Sequence, residues 1–127
     1  MAHSIKIKIY YEDTDAGGVV YYANYLRYLE RARTEFLQDM GIIVAELHRQ
    51  GIFFAVVRVD IAYKKPALLG DIIEVTTEVT DTKNASLVVR NQVLKDNLLL
   101  AEAHVTIACI DKDGKPKRLP EIFKTLQ

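Results

Sequence analysis

The sequence has 127 residues, half of them apolar, with 17 lysines and arginines against 17 aspartates and glutamates. That apolar content excludes a disordered segment and supports one core in a single domain over residues 1–127. With no surplus of positive charge, the chain is a poor generic binder of nucleic acid, whose non-specific affinity comes from neutralised phosphates.

In chain order, Ile5, Ile7 and Ile9 alternate with Ser4, Lys6 and Lys8, the period of a half-buried strand. A polar interruption with two glycines follows from Glu12 through Gly18. From Ala23 to Met40, Tyr25, Leu29, Ala32, Phe36 and Met40 recur every three or four residues, with Arg27, Arg31, Glu35 and Asp39 between them. This predicts an amphipathic helix of roughly five turns, stopped at Gly41. A shorter helical piece over Val44 to Gln50 closes at Gly51. Period two then returns: Phe53, Ala55, Val57, Val59, Ile61 and Tyr63 make one apolar strand face, with Arg58, Asp60 and Lys64 on the other, until Pro66 ends the run. After the Gly70-Asp71 turn, Ile73, Val75 and Val79 mark a strand, and Leu87, Val89 and Val93 mark another. Asp96-Asn97 reads as a hairpin turn into Leu99, Ala101, Ala103, Val105, Ile107 and Cys109. The tail, Asp111 to Gln127, holds an Asp113-Gly114 turn and a short terminal helix or coil.

Strand, long helix and four strands joined by tight turns imply an antiparallel sheet with one helix buried on a face. The Phe53 to Tyr63 strand is expected at an edge, and a homo-oligomer joined at least partly through it. Cys109 stands alone, which leaves no internal disulfide, zinc knuckle or redox pair. The N-terminus lacks a signal-peptide hydrophobic region, and no apolar run approaches the ~20 residues that span a bilayer. The expectation is a soluble protein of a reducing compartment, cytoplasmic, with no integral membrane segment.

Six of the seven tyrosines lie between Tyr10 and Tyr28. The same stretch places Glu12, Asp13 and Asp15, then Gly17 and Gly18, just ahead of the predicted helix. A helix N-terminus offers unpaired N–H groups and partial positive charge. A carboxylate beside such donors makes a minimal acyl-transfer site: the amides polarise a carbonyl while the carboxylate attacks or activates water. Taken alone, the residues fit solvated loop carboxylates and an ordinary glycine turn better than a catalytic site.

YYEDTDAGGVVYYANYLRYLERAR, from Tyr10 to Arg33, resembles the active-site signature of the hotdog-fold acyl-CoA thioesterases, in the branch of YbgC and 4-hydroxybenzoyl-CoA thioesterase. AYKKPALLGD, from Ala62 to Asp71, is similar to that family's strand-ending segment. The resemblance covers nearly the whole chain. It implies an α+β hotdog fold, a five-stranded antiparallel sheet wrapped around one long helix. It also implies hydrolysis of an acyl-CoA to free acid and coenzyme A, in homodimers or homotetramers with active sites at the subunit interface. No metal or dissociable cofactor is implied, coenzyme A being part of the substrate. Asp15 falls on the aspartate of the family's threonine–aspartate pair, as nucleophile or general base. Tyr22, whose backbone N–H is expected to open the helix, would donate to the thioester oxygen. Many YbgC-like chains carry histidine there, whereas the 4-hydroxybenzoyl-CoA enzyme carries tyrosine. Gly18 matches the family's turn glycine, and Asn24, Tyr25 and Glu30 match its helix pattern. Glu30 is either an orienting carboxylate behind the site or an ion-pair partner of Arg27 and Arg33. Asp13 and Glu12 read as structural or solvated.

The phosphates of coenzyme A call for Lys or Arg, and Lys64, Lys65, Lys83 and Arg90 are the candidates, contributed across the dimer. Lys112, Lys115, Lys117 and Arg118, offset by Asp111, Asp113 and Glu121, read as a solvated tail. His3 and His48 are expected at the surface, His104 as a hydrogen-bonded structural residue, and Cys109 as a buried small hydrophobe. The Asp111–Gly114 run lacks the length of a calcium loop, and no P-loop or dinucleotide-binding glycine pattern occurs. Two alternatives stand beside hydrolysis. One is a hotdog acyl-thioester dehydratase, which would need a histidine that Tyr10–Arg33 lacks; the other is a non-catalytic acyl-thioester-binding or protein-interaction module. YbgC-like enzymes are linked to cell-envelope and phospholipid pathways, which leaves a position peripheral to the inner membrane open.

Overall fold

A computed structural model describes residues 3–127. Strand β1 (His3–Lys8) leads through a 3-10 turn at Tyr11–Asp13 into helix α1 (Asn24–Asp39) and the short α2 (Val44–Arg49). Four long strands follow: β2 (Phe53–Tyr63), β3 (Ile72–Thr82), β4 (Ser86–Lys95) and β5 (Leu98–Ile110). All five pair antiparallel in the order β1-β3-β4-β5-β2. Only β3–β4 and β4–β5 are local hairpins. Asp96 and Asn97 close the second with φ of 48° and 67°, the left-handed pair of a turn whose twist matches its strands. The strands entered or left through helices and loops, β1 and β2, are the sheet's two edges.

α1 lies on the inner face, over β1 and β3. Tyr25, Leu29, Ala32 and Phe36 join Ile73, Val75, Val89 and Val105 in one core, as the helical spacing requires. This is the expected hotdog arrangement. Among the described residues, no helix is long and apolar enough to cross a membrane.

Several side chains depart from the sequence expectation. Tyr28 belongs to the buried stripe, whereas Met40 is 42% exposed, because it caps the helix just ahead of the left-handed Gly41. The unbroken apolar face of β2 is corrected by a bulge. Pairing with β5 slips between Val56 and Arg58, leaving Val57 unpaired. Phe54 and Val56 therefore oppose the buried Cys109 and Ile107 before the bulge, while Val59, Ile61 and Tyr63 oppose Val105, Ala103 and Ala101 after it. A second slip, between Val93 and Leu94, makes Leu100 rather than Leu99 the buried residue at the start of β5. The tail is solvated at Lys112, Lys115 and Arg118, but a 3-10 turn at Glu121–Thr125 carries Phe123 into the core with Leu119.

Candidate active site

The loop between β1 and α1 folds back as a short ribbon. Asp15 N–H donates to the Val19 carbonyl at 2.9 Å, and Tyr21 N–H to the Asp13 carbonyl at 3.0 Å. Gly18, at φ 78°, takes the left-handed position that closes this reversal, its N–H reaching the Asp15 carbonyl at 3.0 Å. At the tip, Gly17 N–H donates to Asp15 Oδ1 at 2.8 Å, an Asx turn that orients an otherwise exposed carboxylate.

Two further sets of bonds hold the ribbon. Val20 N–H donates to the Ala67 carbonyl at 2.9 Å, and Leu69 N–H to the Gly18 carbonyl at 3.1 Å. The Ala67–Asp71 turn is itself tied by Asp71, which accepts from Leu68 N–H at 2.9 Å and from Lys95 Nζ at 2.7 Å. Burial opposes the charge on Asp71. The Lys95 ammonium and Leu68 N–H outweigh it and hold the carboxyl below its usual range, while the same contact raises Lys95.

The ribbon's second arm runs into α1, where Asn24 Nδ2 donates to the Asp13 carbonyl at 2.8 Å. The helix starts at Asn24 with Ala23 as cap, so Tyr22 stands two residues ahead of it rather than opening it. Asn24 N–H donates to the Tyr21 carbonyl at 2.9 Å. Carbonyl and N–H point opposite ways across a planar trans peptide, so the Tyr22 N–H is turned away from the helix. Among the described residues, neither the Tyr22 nor the Ala23 N–H meets an acceptor. These are unfilled donors at a positive helix end. Val19 sits opposite Asp15 and Tyr22 follows three residues later, no more than about 10 Å of extended backbone.

Tyr22 also opens a groove of ≈ 260 Å³ lined by Val20, Tyr25, Tyr63, Lys64, Lys65 and Pro66. Tyr63 meets Tyr22 and Tyr25 edge-on at 6.4 and 5.2 Å, and its hydroxyl donates to the Tyr22 carbonyl at 3.1 Å. Burial raises the Tyr63 and Tyr25 phenols above the ordinary tyrosine value. The sequence hid this role of Tyr63, which reads there as one more apolar strand residue. Its nearest signal is its place in AYKKPALLGD.

Asp15, Gly18, Tyr22, Lys64 and Lys65 thus gather at one end of the subunit. Lys83 lies in the β3–β4 turn at the other end, the length of an 11-residue strand away, about 35 Å. There Leu119 N–H donates to the Asn84 carbonyl at 2.8 Å, which sets Lys117 and Arg118 beside the same turn. Arg90 sits half-buried on β4 between Glu78 at 3.5 Å and Glu102 at 3.4 Å, its charge balanced within the subunit. Glu30 is exposed six residues into α1, roughly 9 Å along the axis from Asn24. Burial lowers Arg33 and the charge of Glu30 counters it, though among the described residues the two form no salt bridge.

A second, apolar cleft of ≈ 220 Å³ opens between α1, α2 and the inner face near β2. His48 stands at this cleft with its ring 4.9 Å from that of Phe53. His3, expected at the surface, is half-buried against Phe36 and bonds Asp39 at 2.6 Å. His104 is exposed, opposite Arg90, and Cys109 is buried, which pushes its thiol up. Among the described residues, no group of three or more His, Cys, Asp or Glu is placed to hold a metal ion.

Comparison with known proteins gives a consistent picture. The family model for the thioesterase-like superfamily matches residues 10–125. The acyl-CoA thioester hydrolase YbgC of Escherichia coli O6:H1 is 41% identical over 117 residues, 91% of this chain and 87% of that protein. The acyl-CoA thioesterase YbgC of Haemophilus influenzae is 40% identical over 123 residues, 95% of this chain and 90% of that one. Among solved structures, a probable thioesterase from Bartonella henselae superposes with a TM-score of 0.90 at 34% identity, covering 94% of this chain and all of the other.

Proposed function

The chain belongs to the thioesterase-like superfamily and is a thioester hydrolase; from that membership we propose that it hydrolyses an acyl-CoA in the cytoplasm, releasing the free acid and coenzyme A. The observation that carries the reading is the pairing on one ribbon of a fixed, exposed carboxylate, Asp15, with an unfilled amide, Tyr22 N–H.

The thioester carbonyl oxygen accepts from Tyr22 N–H, which polarises the carbon. Asp15 then acts in one of two ways. As general base it takes a proton from water while the water oxygen bonds the carbon; as nucleophile it bonds the carbon itself and water opens the resulting anhydride. Both routes pass through a tetrahedral oxyanion that the Tyr22 amide stabilises. Collapse breaks the carbon–sulfur bond, and the thiolate of coenzyme A leaves and takes a proton. The scheme uses no metal or dissociable cofactor.

We further propose a homodimer, alone or as half of a homotetramer, through antiparallel pairing of two β2 edges. Val56, Val57 and Val59 are 49%, 61% and 36% exposed along that edge, apolar and without a neighbouring strand. Pairing about the midpoint at Arg58 sets the Tyr63 end of one strand beside the Phe53 end of the other. The Asp15–Tyr22 groove of one subunit then adjoins the apolar cleft and Lys83 turn of its partner. In this arrangement the acyl group enters the partner's cleft, and the nucleotide phosphates meet Lys64 and Lys65 of one subunit and Lys83 of the other. Arg90, already held by two carboxylates, is left a structural role.

Asp15→Asn tests the chemistry. The amide oxygen still accepts from Gly17 N–H, so the loop keeps its form, while hydrolysis of acyl-CoA falls on the order of 10³-fold. Wild-type turnover by this variant overturns the mechanism, and binding of acyl-CoA without turnover by the native protein would leave a non-catalytic module instead.

A further inference from the structure

Resting on that reading, we infer that Phe123 forms the floor of the acyl cleft and limits the substrate to short aliphatic or single-ring acyl groups with apolar ends. The cleft has a direction. Glu30, His48 and Val56 are exposed and mark its mouth, whereas Phe36, Val79, Leu87 and Phe123 are buried and mark its floor. A void of roughly 150 Å³ lined by aliphatic and aromatic side chains holds benzene. The ≈ 220 Å³ here accepts one ring with a few further atoms, or a bent chain of similar bulk. A palmitoyl chain exceeds it. The buried liners carry no polar side chain, and the cationic liner, half-buried Arg33, stands about one helical turn from Glu30 at the mouth; a carboxylate carried past it to the floor would be desolvated without a partner.

Phe123 is the liner that the C-terminal segment contributes. Its ring lies 5.4 Å from that of Phe54, and it is 1% exposed. The 3-10 turn that carries it is stitched to the β3–β4 hairpin on both sides. Leu119 N–H donates to the Asn84 carbonyl at 2.8 Å; Gln127 Nε2 donates to the Thr80 carbonyl at 3.3 Å, and Thr82 Oγ1 donates to Gln127 Oε1 at 3.0 Å. A floor fixed in this way yields by loss of the ring rather than by movement of the turn.

The test measures kcat/KM, by free-thiol release, for acetyl-, butyryl-, hexanoyl-, benzoyl-, decanoyl- and palmitoyl-CoA in the native protein, Phe123→Leu and Phe123→Ala. Each methylene that fits adds up to about four-fold. The native enzyme should therefore peak among butyryl, hexanoyl and benzoyl and fall more than about ten-fold for palmitoyl. Phe123→Ala should move the optimum up by about two to four carbons. Phe123→Leu, which keeps most of the buried volume and hence the fold, should move it less in the same direction. An optimum that stays put in the leucine variant, or a native preference for palmitoyl, overturns the inference and leaves the hydrolase reading intact. A native protein silent towards every acyl-CoA overturns the hydrolase reading itself.

Discussion

The Tyr63 hydroxyl donates to the Tyr22 carbonyl at 3.1 Å, linking the last residue of β2 to the approach of α1 across 41 positions. The bond fixes the peptide plane between Tyr22 and Ala23. Because that plane is rigid and trans, it also fixes the direction of the Ala23 N–H, the second unfilled donor at the helix end. Tyr63 thus acts as a positioning residue one link removed, on the peptide that directly follows the Tyr22 N–H of the proposed oxyanion site.

Tyr63→Phe keeps the ring contacts with Tyr22 and Tyr25 and removes only the donor. A net hydrogen bond of this kind corresponds to about three- to ten-fold in rate. We expect kcat to fall by that factor with KM little changed. The residue is 46% exposed, so the melting temperature should hold. Steady-state kinetics beside a thermal melt separate the two effects.

That link shows where sequence reasoning stops. The bounds of β2 follow from a long period-two run, but its bulge does not, because Val56 and Val57 are adjacent and apolar and either phase of alternation fits. Only pairing with β5 chooses between them. The three leucines at 98–100 hide the second bulge for the same reason. Asp15 and Tyr22 stand out through a local motif, whereas Tyr63 and Phe123 join the site regions by contacts formed across the fold. The Lys and Asp cluster at 111–118, with Glu121 and Lys124 beside Phe123, gives the tail a solvated composition, and tertiary packing overrides it.

Gly17 offers a probe of Asp15 that leaves the carboxylate in place. A Cβ added there would come within 3.3 Å of Asp15 Oδ1. The exposed carboxylate can give way by a few tenths of an ångström, so the fold accommodates Gly17→Ala while the proposed catalytic oxygen moves. Misplacement on this scale should lower kcat by about ten-fold, with the melting temperature unchanged or slightly raised by the loss of glycine's freedom in the unfolded chain. An unaltered kcat would mean that the Oδ1 position is unimportant.

Asp71 ties the turn on which the ribbon rests, and its effect should appear in the pH dependence of stability. Its folded pKa is depressed, so its contribution is whole above the ordinary carboxylate value and is lost as pH falls through the folded one. Lys95 behaves oppositely: its raised pKa keeps its contribution whole below the ordinary lysine value, and it is lost only as pH rises through the folded one. Asp71→Asn removes the ion pair at neutral pH and, with Lys95 partly exposed, should lower the melting temperature by only a few degrees. The gap between native and variant should close on acidification below the ordinary carboxylate range. A gap constant across pH would assign the effect to packing.

The proposed pairing of β2 makes the strongest demand on assembly. Val59 lies one position beyond Arg58 on the uncovered edge, with its partner in β5 the buried Val105. A two-fold axis at Arg58 brings Val59 of one subunit against Val57 of the other. Val59→Lys removes apolar contact and sets two like charges near that axis, an arrangement that edge strands use to prevent pairing. A penalty of about 2–3 kcal/mol weakens association roughly 30- to 150-fold. Sedimentation at micromolar concentration should then give a dimer or tetramer for the native protein and a monomer for the variant. Because groove and cleft come from different subunits in this arrangement, activity per subunit should fall with dissociation and recover as the variant is concentrated. A native protein that sediments as a monomer, or a monomeric variant with full activity at every concentration, would place the whole site within one subunit.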